Sequence, residues 1–275
     1  VVKTVVEEVE NPTTEIYIDA ARNYEPNAQL GDSISIPVDI QKFGRIAAQT
    51  AKQVVIQGIR EAERGVMYES YSSKAQELLT GTVLRIDPNT GDMFVRIGSG
   101  NEQSDAVLRA SEQIPGESFE VGQLIKVYIV DVKNTEKGPK AMISRTHPGL
   151  VRRMFELEVP EIFDGTIEIK AISREAGSRT KIAVLSNDES VDPVGACVGV
   201  KGARIHGIVR ELNNENIDVI NFTHNPQLLI QRALSPAQVS SIQLNEEEHK
   251  ADVYLRPEEV SLAIGKGGMN ITLAC

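Results

Sequence analysis

The chain has 275 residues, a formal net charge of −10, 41% hydrophobic residues and a mean hydropathy of −0.19, a balance that suits a soluble, folded protein of roughly two to four small domains. Tryptophan is absent and aromatic residues make up 4%, so several small aliphatic cores fit this inventory better than one large core. No apolar run approaches the ~18 residues of a membrane helix and no charged-then-apolar leader opens the chain, which excludes a membrane span and makes the cytoplasm the expected location.

Residues 1–37 are mixed, with strand-like alternation at 15–19 and 33–36 and turns at Pro26-Asn27 and Gly31-Asp32. A long helix is expected over 41–73, opened by Asp39 as a cap. Its apolar stripe is Phe43, Ile46, Ala47, Ala51, Val54, Val55, Ile59, Ala62 and Val66. The stripe is expected to pack on the short strands. Lys42, Arg45, Lys52, Arg60 and Arg64 take the other faces, where a partner protein can meet them.

From residue 78 the period switches from 3.6 to two. Five short strands, at 79–86, 92–97, 105–108, 124–132 and 141–144, are separated by turns at 88–91, 98–100, 115–116 and 137–139, the pattern of an OB barrel. The second and third strands of such barrels present the ligand face, which here offers Phe94 for base stacking and Arg96 and Arg109 for phosphate. A phenylalanine in a small barrel is more often core than platform, so Phe94 is a weaker candidate than the loops that follow.

Residues 147–222 give helix, strand, strand, helix, helix, strand, and the same order restarts over 226–273. The second unit is expected to lack most of its last helix and its third strand. Each unit carries one motif between its paired helices: Val198-Gly199-Val200-Lys201-Gly202-Ala203-Arg204-Ile205, then Ile264-Gly265-Lys266-Gly267-Gly268-Met269-Asn270-Ile271. With 21 glycines, about one or two bare G-x-x-G matches arise by chance, but an apolar residue before and Ile three after the second glycine, twice over, do not. A G-x-x-G turn lets backbone N–H groups approach phosphate oxygens because no Cβ intervenes, the core of a KH nucleic-acid clamp.

Charge argues against an electropositive coat: segments 1–76, 77–146, 147–222 and 223–275 carry −3, −2, −3 and −2. Binding must then come from local sites where backbone donors and one or two cations meet phosphate. Cys197 and Cys275 make no C-x-x-C spacing and are expected to be buried thiols. His147, His206, His224 and His249 form no zinc signature, so no metal or cofactor is expected.

The order of barrel, first G-x-x-G unit and second G-x-x-G unit behind an N-terminal helical domain resembles the bacterial NusA family of transcription elongation and termination factors. Phe43-Gly44-Arg45-Ile46-Ala47-Ala48-Gln49 is similar to its N-terminal domain and Glu112-Gln113-Ile114-Pro115-Gly116-Glu117 to its S1 barrel. Ile143-Ser144-Arg145-Thr146-His147-Pro148 is similar to the entry into its first KH domain. Gly195-Ala196-Cys197-Val198-Gly199 and Ser261-Leu262-Ala263-Ile264-Gly265-Lys266-Gly267-Gly268 are similar to its two loop signatures. The resemblance implies a multidomain α+β protein: an N-terminal α/β domain with a long helix (1–76), a five-stranded OB-type S1 barrel (77–146) and two type II KH domains (147–222 and 223–275, the second incomplete at its C-terminal end).

It further implies a monomer that is not an enzyme. Its partners would be nascent single-stranded RNA, RNA polymerase and other antitermination factors, and its effect would be on pausing, termination and antitermination. Carried over by position, RNA meets Gly199, Val200, Lys201, Gly202 and Arg204 in the first loop. In the second it meets Gly265, Lys266, Gly267, Gly268 and Asn270, to which the reading of the barrel face adds Phe94 and Arg96. The polymerase meets Lys42, Arg45, Lys52, Arg60 and Arg64. Two departures stand out: Leu108-Arg109-Ala110 replaces the family's Leu-Pro-Arg, moving that cation to the other face of a strand, and Thr272 stands where a basic residue is usual.

The rival readings are an accessory part of an exoribonuclease and a free-standing RNA-binding factor of translation or RNA processing. In exoribonucleases the KH unit precedes the S1 barrel and both follow large catalytic domains, whereas here only about 76 residues precede the barrel.

Overall fold

The computed structural model describes residues 1–37, 45–98, 103–135, 138–245 and 247–275, with the side chains of residues 45–47 left out. Two compact units result, Val1–Glu63 and Arg64–Cys275.

In the first unit, β1 (Val2–Val6) lies between β2 (Glu15–Tyr17), which runs parallel to it, and β3 (Ser33–Ser35), which runs antiparallel. The sequence pattern had not marked β1, although its Val-Lys-Thr-Val-Val run is rich in β-branched residues. The expected strand at 15–19 stops at Tyr17. Ile18–Ala21 forms a short helix, α1, which sends Ala21 into a small core with Val5, Ala28 and Ile34.

Helix α2 (Arg45–Ser72) spans the end of the first unit and the start of the second. Asp39, Lys42 and Phe43 lie outside the described residues. The stripe does not pack on the strands as expected: Val54, Val55, Ile59 and Val66 are 63%, 60%, 54% and 68% exposed. The physical reason is that β1 and β3 close their core with α1 and the 18–36 segment, leaving the helix face uncovered. Among the described side chains of α2, burial begins in its last turns, with Tyr71 buried and Met67 packed against the barrel core.

That barrel is closed in the order β4-β5-β6-β8-β7, from β4 (Leu78–Ile86), β5 (Met93–Ile97), β6 (Ser104–Leu108), β7 (Leu124–Thr135) and β8 (Gly138–Ser144). Alternation fixes the interior: Val83, Met93, Val95, Ile97, Leu108, Ile125, Val127 and Ile129 point inward. Gly81 permits the closure, since a Cβ there would sit 2.5 Å from Val95 Cγ1 and 2.9 Å from the Arg96 carbonyl.

The next unit runs α3 (Pro148–Glu158), α4 (Pro160–Phe163), β9 (Ile167–Glu175), β10 (Arg179–Ser186), α5 (Pro193–Val198), α6 (Ala203–Glu211) and β11 (Asn216–Asn221). Its sheet has the order β11-β10-β9, with β10 antiparallel to β9 and parallel to β11. The order is the expected one with α4 added. Ile114 and Tyr128 of the barrel belong to its core, so the two domains share apolar packing.

Charge locks the same junction. Arg145, 1% exposed, donates Nε to Glu117 at 2.9 Å and Nη2 to the Glu211 carbonyl at 2.9 Å. Arg174 and Glu215, both fully buried, pair at 2.9 Å, and Arg174 Nη1 also reaches the Arg145 and His147 carbonyls. Burial pushes the Glu117 carboxyl above its ordinary range although Arg145 opposes this. Removing one partner of such a buried pair costs about 3–5 kcal/mol.

The last unit contains α7 (Pro226–Ala233), the antiparallel pair β12 (Val239–Asn245) and β13 (Lys250–Leu255), α8 (Pro257–Ile264) and α9 (Met269–Ala274).

Candidate nucleic-acid interface

Helix α5 is opened by Asp192, whose carboxylate accepts from the N–H groups of Val194 and Gly195. It ends at Gly199, where the backbone turns to φ 74°, ψ 172°. Lys201 and Gly202 follow in the left-handed region at φ 51° and 77°. Gly199 N–H closes the helix on the Gly195 carbonyl at 2.9 Å, and Gly202 N–H closes the turn on the Gly199 carbonyl at 3.0 Å. The outcome is a projecting apex: Val200 is 84% exposed and Lys201 is exposed.

The loop after α8 repeats this path. Gly265 stands at φ 73°, ψ 175°, Gly267 at φ 63° and Gly268 at φ 77°, with N–H bonds from Gly265 to the Ser261 carbonyl and from Gly268 to the Gly265 carbonyl. Lys266 and Gly267 are exposed. The cation therefore sits one position earlier in the second apex than in the first.

Five residues after the first glycine of each motif comes a side chain that fastens the turn. Arg204 Nη1 donates to the Ala196 carbonyl at 2.6 Å and to Glu161 Oε2 at 3.0 Å. Asn270 Nδ2 reaches the carbonyls of Leu234, Leu262 and Ala263 at 3.1–3.2 Å. Carbonyls in the last turn of a helix lack intrahelical donors, which explains why a donor is placed there. This corrects the expectation for Asn270: at 1% exposure it cannot reach a base or sugar. The guanidinium of Arg204 is likewise committed to α4 and α5.

Beside the first loop lies a residue that the motif did not single out. His206, exposed on the first turn of α6, rests against Gly202, where a Cβ would come within 2.8 Å of its ring. Its place four residues after Gly202 was the available clue. Thr272 holds the corresponding place in the second loop, where its hydroxyl donates to the Gly268 carbonyl at 2.9 Å. Within Arg64–Cys275, a cleft of about 600 Å³ separates the two loop-bearing domains, lined among others by Asn221 and Val219 on one side and Leu228, Arg232 and Gln238 on the other.

On the barrel, Phe94 points outward, half-buried, with the Arg85 guanidinium 3.5 Å from its ring centroid. It belongs to a surface stack rather than the core. Arg96 pairs with Asp105 on the adjacent strand at 2.9 Å, and Arg109 is exposed just past β6. On α2, Lys52 and Arg60 are exposed and Arg64 is half-buried. Lys42 and the side chain of Arg45 lie outside the described residues.

Among the described residues no group of three or more His, Cys, Asp or Glu is placed to hold a metal. Cys197 is buried beneath the first loop, and burial together with the nearby Glu161 carboxylate pushes its thiol up to about 12. Cys275, expected to be buried, is exposed.

Four family models match along the chain: the NusA N-terminal domain over residues 1–65, the S1 RNA binding domain over 73–143, the NusA-like first KH domain over 145–222 and the NusA-like second KH domain over 226–275. The chain is 47% identical to the transcription termination/antitermination protein NusA of Bacillus subtilis over 272 residues, 99% of this chain and 72% of that protein. It is 48% identical to the NusA of Halalkalibacterium halodurans over 99% of this chain and 70% of that protein. For the NusA of Thermus thermophilus the identity is 45% over 273 residues, 99% of this chain and 69% of that protein.

Proposed function

This chain belongs to the NusA family of transcription termination/antitermination proteins, and on that premise we propose that it docks on RNA polymerase and grips the single-stranded transcript as it emerges. Residues 1–76 form the polymerase-binding domain in this reading, and residues 77–146, 147–222 and 223–275 form a barrel and two KH grips along the RNA. The observation that carries it is the pair of loops with one backbone path, each projecting a lysine at an exposed glycine turn. Lys201 and Lys266 meet phosphates, Gly199, Gly202, Gly265, Gly267 and Gly268 let the strand approach the backbone, and Val200 packs against sugar or base. Arg204 contributes by holding its loop in shape. Phe94 under Arg85 offers a stacking surface on the barrel, with the charge of Arg96 offset by Asp105.

Holding the transcript at two adjacent points while bound to the polymerase biases whether nascent RNA pairs with itself or stays extended, which is how pausing, termination and antitermination come to depend on the protein. The chain acts by binding, as a cytoplasmic monomer, and antitermination factors join it on the polymerase. The uncovered stripe of Val54, Val55, Ile59 and Val66, flanked by Lys52 and Arg60, supports α2 as the docking face. Val55→Glu with Ile59→Glu is expected to abolish co-purification of the chain with RNA polymerase and its effect on pause lifetime in a transcription assay, while RNA binding persists. Unchanged capture and pausing would overturn the docking assignment.

A further inference from the structure

A second polar cleft, about 520 Å³, opens where the barrel meets the first KH unit. Its volume falls in the ~300–1,000 Å³ range of small-ligand sites. Among its lining residues Arg152, Arg153 and Lys170 face one carboxylate, Glu156, a local positive balance in a chain of net charge −10.

The cations are not equally available. Arg153 is taken by Glu156 at 2.6 Å and by the Gln76 carbonyl at 2.7 Å, and Lys170 pairs with Glu168 at the rim. Arg152 donates Nη1 to the Ile169 carbonyl at 3.0 Å, and among the described residues it has no carboxylate partner. Its remaining N–H groups are left for an anion.

The cleft also holds an aromatic surface fixed in place. The His147 ring stacks on Tyr128 with centroids 4.8 Å apart and planes within 9°. Tyr128 is 6% exposed and is pressed by Gly149, where a Cβ would lie 2.4 Å from Cζ, so neither ring needs ordering when a ligand arrives. His147 Nδ1 accepts the Gly149 N–H at 3.0 Å, which leaves the ring proton on Nε2. Burial lowers the His147 pKa against the pull of Glu112, keeping a neutral, stackable ring.

We propose that this cleft takes one nucleotide of single-stranded RNA, with its phosphate on Arg152 and its base against the His147 ring, while Lys170 at the exposed rim, its charge shared with Glu168, adds attraction for the phosphate. The inference rests on the reading of the chain as an RNA grip and adds a third contact, between barrel and first KH unit, to the two glycine loops.

Histidine side-chain NMR of the full chain separates the possibilities, because His206 reports on the first loop and His147 on the cleft. A single-stranded RNA of about 12 nucleotides is expected to shift the ring signals of both. Arg152→Gln with Lys170→Gln should abolish the His147 shift, preserve that of His206 and weaken the RNA about tenfold. A His206 shift with His147 unmoved at saturation would overturn the cleft assignment alone, whereas no binding of RNA at all would overturn the RNA reading beneath it. Adenosine monophosphate is the second probe: a His147 shift as large as that from RNA at equal concentration would make the cleft a free-nucleotide site and contradict the transcript as its occupant.

Discussion

Gly199 and Gly265 hold nearly the same backbone angles, φ 74°, ψ 172° and φ 73°, ψ 175°, yet the side chains that close their turns share little chemistry. The first turn is held by a half-exposed arginine reaching Glu161, and the second by an asparagine sealed from solvent among three carbonyls, its Oδ1 unpartnered. The first apex puts Lys201 in the left-handed region where the second has Gly267, and His206 against the turn where the second has Thr272. Glycines at positive φ dictate the path of such a loop; fastening and charge are then free to diverge. The first turn carries Lys201 and Arg204 where the second carries Lys266 alone, and the second is fastened by the more deeply buried side chain.

The glycines test that division most severely. At Gly265 an added Cβ would meet Asn270 Cβ at 2.7 Å and its backbone N at 3.0 Å, whereas at Gly199 the nearest atoms belong to the Arg204 side chain, Cγ at 2.8 Å and Cβ and Cδ at 3.1 Å. Both positions lie in backbone territory nearly reserved for glycine. Urea unfolding should therefore show Gly265→Ala losing about 3–5 kcal/mol and Gly199→Ala about 1–3 kcal/mol. Equal losses would mean that the fastening side chains play no part.

A smaller contrast is expected from the fasteners. Asn270→Ala strands buried carbonyls and should cost about 2 kcal/mol, while Arg204→Ala, half-exposed and open to water, should cost about 1 kcal/mol. Thermal melting checks the order.

Lys201→Gly separates shape from charge. Relief of left-handed strain, about 1 kcal/mol, is offset by the chain entropy of glycine, so stability should hold while RNA affinity falls several-fold. Melting and fluorescence anisotropy on one preparation read both.

The smallest effect concerns the floor of each loop, Cys197 in the first and Ala263 in the second, both buried. With its thiol pushed up to about 12, Cys197 stays protonated at neutral pH and should resist iodoacetamide while Cys275 is alkylated. Cys197→Ala should cost only about 1 kcal/mol in urea unfolding. Rapid alkylation of Cys197 in the folded chain would show that the first loop opens.

Periodicity made the barrel legible, because inward residues at every second position leave little choice of face, and it made the paired helices around each loop legible too. It misplaced the stripe on α2, since a 3.6 period reports that a face is apolar and is silent about what covers it. Asn270 was mistaken for a ligand contact because the motif draws attention to polar residues after the turn. Helical phase held the answer: Asn270 and Leu273, one turn apart, are both buried, while Ile271 and Thr272 between them are exposed. The junction charges were not legible, since Arg145 finds Glu117 28 positions away and Glu211 66 positions away, and no local pattern joins them. Nor did spacing bring Tyr128 to His147.

In the proposed binding mode the two loops grip one RNA strand, the first more strongly. Anisotropy with a single-stranded RNA tests it on four proteins: the unchanged chain, Val200→Asp with Lys201→Asp, Lys266→Asp, and all three substitutions together. Aspartate tolerates left-handed backbone, so melting temperatures should hold. Affinity should fall about tenfold for the first loop, less for Lys266→Asp, and nearly vanish for the combination. Unchanged affinity in the combined variant would contradict the account.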